Sequence, residues 1–317
     1  MNDEDRKLYP FRLAPLSLDP GETFLAADLG YADSEVANGW LAAATLGELM
    51  EMYNDRIVGG RIFEYFGRQF PVCVKRLDVD GMTPLTVCPS DETARQRYDF
   101  LGKRKVWYVV EAGPGASVAC GFGREVGAEE LYMACRHNEV RPLLKEMPVK
   151  AGSCLVIEPG MAHAAFGRMT VLEVAESSPL DFRIHNWGRP LELDEFDGSL
   201  SLEESLDFIC LGKSSAAVCK AGGGAEGCVL AEGYEFTVSR FSASSPLHVL
   251  TGESDGFILY VALRGSGSIA VQSGEREEVK LSAGEAVLVP ADCTDFIIAP
   301  ASGDFEFLET RGGNCGA

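Results

Sequence analysis

Four histidines and ten cysteines are the side chains of this 317-residue chain best suited to hold a metal ion, since imidazole and thiolate are the common nitrogen and sulfur donors. No two cysteines stand in a C-x-x-C pair, so neither a zinc ribbon nor a thioredoxin-type motif is available. His163 has a pattern around it. It closes Gly152-(x)7-Gly160-Met161-Ala162-His163, in which a glycine, an apolar strand and a Pro/Gly turn lead to a ligand position. The plainer alternative is a hydrogen-bonded histidine inside a barrel. His137 reads as solvent-facing on a helix, and His248 as a strand residue without a motif. Phosphate-loop and nucleophile-elbow chemistry lack their signatures: there is no P-loop and no G-x-S-x-G, and Gly113-Pro114-Gly115 joins strands rather than opening a helix.

A ligand position needs strands to hold it. Residues 106–111, 153–158, 170–174, 256–263, 268–272 and 286–290 are short, β-branched or aromatic, and bounded by Gly, Pro or Asp, which predicts strands. Helical signals are few: Thr45-Leu46-Gly47-Glu48 and Ser201-Leu202-Glu203-Glu204 fit a capping box, and 128–136 is a third candidate. The β signal repeats. Tyr108-Val109-Val110-Glu111-Ala112-Gly113-Pro114-Gly115 matches Tyr260-Val261-Ala262-Leu263-Arg264-Gly265-Ser266-Gly267, and the run from Val149 to Ile157 matches that from Leu281 to Val289. Two copies in the same order predict two jelly-roll barrels of the cupin (RmlC-like) type with a small helical insertion, an all-β-dominated fold. The offset that ends on His163 in the first copy ends on Asp295 in the second. The expected division is 1–190 for the first barrel, 191–225 for a helical segment and the Gly-rich connector Ala221-Gly222-Gly223-Gly224-Ala225, and 226–317 for the second barrel.

Twenty-eight basic against 48 acidic residues give a net charge of −20, which repels phosphate backbones and anionic lipid. Nucleic acid is therefore not an expected partner, although a few local Arg and Lys residues suffice for a small anion. Nor is a membrane, because no apolar run reaches the ~18–20 residues needed to cross one. Met1 to Lys7 carry three acids and lead into no apolar stretch, so the expected location is the cytoplasm. The sequence sets no oligomeric state.

Six collinear motifs carry a family resemblance: Glu35-Val36-Ala37-Asn38-Gly39, Thr45-Leu46-Gly47-Glu48-Leu49, Phe70-Pro71-Val72-Cys73-Val74-Lys75, Gly102-Lys103-(x)3-Trp107-Tyr108, Gly160-Met161-Ala162-His163-Ala164 and Arg183-(x)3-Trp187-Gly188-Arg189. Over about residues 8–210 the chain resembles the short bacterial type I mannose-6-phosphate isomerases. The resemblance implies an aldose–ketose isomerase fold with one zinc, held by a Gln and a His of a Gln-Val-His-Pro strand, a Glu two residues after Gly-Lys, and the barrel His. Here the first motif reads Thr86-Val87-Cys88-Pro89 and the second Gly102-Lys103-Arg104-Lys105. His163 is kept. Cys88 is a weak substitute ligand, and Thr86 and Lys105 occupy the other two ligand positions.

Lys105 carries most weight. A divalent ion ~4 Å from an ammonium is opposed by roughly 8 kcal/mol at an effective dielectric of ~20, and deprotonating a lysine at pH 7 costs roughly 4.6 kcal/mol. The expectation is that no cofactor is bound and that the ammonium fills the ion's place; the alternatives are zinc in a rearranged site on Cys88 and His163, or another ion. The resemblance also implies that Glu173, Arg183 and Lys103 are the catalytic residues of a sugar pocket, with Arg183 and Lys103 also as anion anchors for a sugar phosphate, because a guanidinium stabilises phosphate or enediolate without losing its proton. Two plainer readings stand beside these roles: a buried Glu173–Arg183 salt bridge, and Lys103-Arg104-Lys105 as a solvated charge run. Pro179 and Asn186 replace acids of the family pattern. Three functions follow: a diverged isomerase-like protein that still binds a sugar phosphate, an active metal-dependent isomerase, or a partner-binding protein with no ligand.

Overall fold

The structure, a computed structural model, describes residues 6–189, 202–220, 222, 227–252, 256–272, 277–301 and 303–313. The chain forms two compact units, Arg76–Lys220 and Met1–Lys75 with Ala221–Ala317. Residues 1–75, placed with the first barrel on the sequence, thus belong to the compact unit of the second. Ser201 and, apart from Gly222, the Gly-rich connector lie outside the described residues. No helix among those described is long and apolar enough to cross a membrane.

In the unit with the second barrel, a six-stranded sheet runs Phe11–Leu13, Ala286–Val289, Ile258–Arg264, Phe305–Gly312, Phe236–Ala243, Cys228–Glu232, and a four-stranded sheet runs Leu247–Leu250, Asp295–Pro300, Ser266–Val271, Glu278–Ser282. Alternate residues of both sheets, among them Tyr260, Val287, Ile269, Phe296 and Phe307, meet in one apolar core, as strand periodicity requires when one face is buried. Helix Leu46–Tyr53 is capped as its sequence predicts: Thr45 Oγ1 accepts from Glu48 N at 3.2 Å and Thr45 N donates to Glu48 Oε2 at 2.9 Å.

The unit Arg76–Lys220 repeats this plan with one strand doing the work of two. His163–Glu176 is 14 residues long. Its first residues pair with Leu85–Val87 and Ser117–Phe122, and its second half pairs with Lys105–Ala112. Between the halves Gly167 takes φ +90°, a conformation that side chains resist, and a Cβ there would lie 3.2 Å from the Ala116 Cα. The order Leu85–Val87, His163–Glu176, Ser117–Phe122, Leu144–Pro148 matches Leu247–Leu250, Asp295–Pro300, Ser266–Val271, Glu278–Ser282. His163 and Asp295 accordingly open equivalent strands, His163 opposite Thr86 and Asp295 opposite Leu250. Helix Ala128–Arg136 forms where expected, with Leu131 and Cys135 buried and His137 exposed just beyond its last turn.

Candidate sugar and cation site

Period-two alternation sorts the strand residues of this unit onto two faces. Leu85, Val87, Ala164, Phe166, Phe182 and Ile184 pack into one core under the helices. Trp107, Val109, Leu155 and Ala165 pack into the barrel interior. Thr86, His163 and Arg183 lie between residues of the first set and therefore point the other way, toward the barrel. Register aligns them, because Arg183 is opposite Thr86, Thr86 opposite His163 and His163 opposite Cys120. Antiparallel partners share a face, so a row runs from the exposed Arg183 to the buried His163. The His163 ring meets Trp107 edge to face at 5.4 Å, and its Nδ1 lies 3.0 Å from the Met161 carbonyl. Burial first and the Lys105 charge second hold the imidazole down, to about 4, so at neutral pH it is an uncharged donor.

A lysine sits beside it. Lys105, 3% exposed, donates from Nζ to Asp181 Oδ1 at 2.5 Å and lies 3.4 Å from Glu173 Oε2. Burial opposes its charge, but the Asp181 and Glu173 carboxylates outweigh burial and keep the ammonium well above its ordinary range. Glu173 in turn accepts from Trp107 Nε1 at 2.7 Å. Lys103, 1% exposed, donates to Asp181 Oδ2 at 2.5 Å and to the Ser178 carbonyl at 2.7 Å. Cys88 Sγ donates to Asp181 Oδ1 at 3.2 Å, and burial first and Asp181 second push the thiol far up.

These distances correct two expectations. Lys103-Arg104-Lys105 is not a solvated run, since all three are buried and Arg104 reaches Glu158 at 3.1 Å. Glu173 takes Lys105 and Trp107 as partners, while Arg183 is exposed on the strand Phe182–His185. The Lys103 ammonium, expected as an anion anchor, is already spent on Ser178 and Asp181. Asp181 is the residue that sequence reasoning passed over; it is the one acid between Glu176 and Arg183. His248, without a motif in the sequence, lies 2.8 Å from Asp295 on the exposed side of the other barrel.

Cys88, His163 and Asp181 bring a sulfur, a nitrogen and an oxygen donor within 4.8 Å of one another, a donor set of the kind zinc takes. The surroundings do not fit the ion as they stand. Both Asp181 oxygens are held by ammonium groups, and Cys88 is a protonated thiol. The positive charge that a carboxylate here requires is supplied by the chain itself.

No family model matches the chain. It is 27% identical over 259 residues to a protein named mannose-6-phosphate isomerase from Streptococcus mutans, covering 80% of this chain and 78% of that protein. It is 25% identical over 303 residues to a Bacillus subtilis protein named "Probable mannose-6-phosphate isomerase", covering 94% of this chain and 91% of that one. Among solved structures, mannose 6-phosphate isomerase from Bacillus subtilis superposes with a TM-score of 0.78 at 22% identity, over 95% of this chain and 99% of that one. A mutant phosphomannose isomerase from Salmonella typhimurium gives 0.76 at 11% identity, over 96% and 99%.

Proposed function

The chain is a homologue of the mannose-6-phosphate isomerases with their double-barrel fold, and from that premise we propose that it is a diverged, zinc-free member that binds a sugar phosphate. One observation carries the reading: the buried Lys105 ammonium, 2.5 Å from Asp181 and 3.4 Å from Glu173, beside His163. A divalent ion added ~4 Å from that ammonium meets roughly 8 kcal/mol of repulsion at an effective dielectric of ~20. The isomerisation of a sugar phosphate on a metal needs the ion to polarise a carbonyl; an ammonium committed to two carboxylates is a poor replacement. Binding makes smaller demands. Arg183, at the open end of the row Arg183–Thr86–His163, takes the phosphate, and the polar groups behind it face sugar hydroxyls. Lys103 and Glu173 serve as positioning residues that hold Asp181 and Lys105.

The test is a thermal-shift series with mannose 6-phosphate, fructose 6-phosphate and unphosphorylated mannose. Both phosphates raise the Tm and mannose does not, and Arg183→Ala removes most of the shift. A shift that survives the substitution places the anion elsewhere. The three donors Cys88, His163 and Asp181 favour a second reading, an active isomerase on a rearranged metal site. It requires stoichiometric zinc that disappears in Cys88→Ser and His163→Ala.

A further inference from the structure

On the outer edge of its sheet the unit Arg76–Lys220 carries a groove of about 580 Å³, lined by Lys145, Met147, Lys150, Val218, Cys219 and Lys220 with Ser153 and further apolar residues and no acid. In a chain of net charge −20 such a lining is a local inversion of sign. The Lys145 ammonium is turned onto the Ser214 and Ala216 carbonyls at 3.0 and 2.5 Å. Lys150 and Lys220 are exposed. Cys219, also exposed, lines the same groove from the two-residue edge strand Cys219–Lys220. That strand pairs antiparallel with Ser153–Ile157, and the residue directly opposite Cys219 is Cys154, 2% exposed. Directly opposed antiparallel residues have Cβ atoms about 4.5–5.5 Å apart, and a disulfide needs about 3.5–4.5 Å. A small movement of a short edge strand closes that gap.

We propose that Cys219 and Cys154 are a redox-reactive pair, that Cys219 is the attacking thiol, and that the substrate of the exchange is an anionic disulfide of the glutathione type drawn in by Lys150 and Lys220. Cys219 gives up its proton and attacks one sulfur of that disulfide. A mixed disulfide forms and one glutathione leaves as a thiol carrying a proton. Cys154 then loses its proton and attacks the Cys219 sulfur, releasing the second glutathione thiol and forming the Cys154–Cys219 bond. Two protein thiols are oxidised and one small disulfide is reduced, which balances the step. The product ties the edge strand to Ser153–Ile157, where Ile157 is opposite Lys105. The net charge of −20 disfavours anions over the surface as a whole, and the exposed lysines of this acid-free groove favour reaction there.

The experiment treats the native protein with oxidised glutathione and maps the products by peptide mass. The expected product is a Cys154–Cys219 cross-link with a Tm raised by about 5 °C, since it closes a long loop. Cys154→Ser stops at a glutathione adduct on Cys219, and Cys219→Ser forms neither product. Lys150→Glu with Lys220→Glu slows the reaction roughly 3- to 10-fold at low salt with oxidised glutathione, and leaves the rate with neutral hydroxyethyl disulfide unchanged. Cys210, exposed in the same unit, is the internal control. The proposal falls if Cys219 reacts no faster than Cys210, or if oxidised wild type keeps the Cys219 adduct without the cross-link. Should Cys154→Ser fail to fold, the wild-type product map alone decides.

Discussion

The two barrels place an aromatic donor opposite a buried glutamate at comparable points and finish the arrangement differently. In the first, Trp107 is opposite Glu173 and donates to it at 2.7 Å, and the cation is Lys105, whose side chain is 4% exposed. In the second, Tyr260 is opposite Glu309 and donates to it at 2.9 Å, and the cation is Arg311, whose side chain is 33% exposed. The second interior is otherwise filled by apolar side chains, among them Phe296, Phe305 and Phe307 with Ile269, Leu281 and Val287. The first keeps His163, Lys105 and Glu173 buried where apolar side chains would pack at lower cost. The proposal that the first barrel is the one that binds rests on this larger set of buried polar groups.

Removing the cation from each barrel tests this contrast most severely. Lys105→Met leaves Glu173 without its ammonium in a buried setting, and the expected loss of stability is about 3–5 kcal/mol by urea denaturation. Arg311→Met removes a partly solvated partner, and the expected loss is below about 1 kcal/mol. Equal losses in the two variants erase the distinction.

A half-buried acid with no ion pair among the described residues sharpens the point. Burial, with Asp33 and Glu51 adding to it and the Phe70 N–H at 2.7 Å opposing it, raises Asp28 to about 6. Folded Asp28 therefore holds a proton that the unfolded chain, near 3.9, has lost. The stability this confers is present below about pH 4 and is lost as pH rises through about 6. Asp28→Asn keeps an acceptor for Phe70 and removes the titration. Wild type and variant should be equally stable at pH 4, and the variant more stable by up to about 3 kcal/mol at pH 7. A difference independent of pH contradicts the assignment. The smallest expected effect is Thr45→Ala, which breaks the capping box of Leu46–Tyr53 and costs about 1 kcal/mol.

What the sequence made legible was local. His163 stood out because its strand, its turn and its glycines lie within a dozen residues, and the second copy of that cadence predicted the equivalent place of Asp295. Lys105 stood out by its position in the family pattern, and the structure places it buried beside Asp181 and Glu173. Asp181 was not found, because its partners Lys103 and Lys105 lie 78 and 76 residues away and it precedes its strand in a stretch without periodicity. Helix Asp91–Tyr98 was missed for another reason. It buries only Ala94 and so lacks an apolar stripe, although its Ser90 cap, its acids Asp91 and Glu92 in the first turn and its bases Arg95 and Arg97 in the last were all there to read. The place of the N-terminal segment depends on Phe11 lying opposite Leu288, a pairing no local pattern announces.

The central claim is that Lys105 stands where a zinc ion would. Thr86→Gln, Cys88→His and Lys105→Glu together supply two ligands beside His163 and replace a repulsive charge by an attractive one; Thr86 is directly opposite His163 and Cys88 is within 4.8 Å of it. The measurement is metal content of wild type and triple variant after dialysis against the same trace zinc. The account predicts much less than one zinc per wild-type chain and close to one per variant chain. A stoichiometric zinc in the wild type, lost on changing Cys88 or His163, would contradict it and make the rearranged metal site the working one.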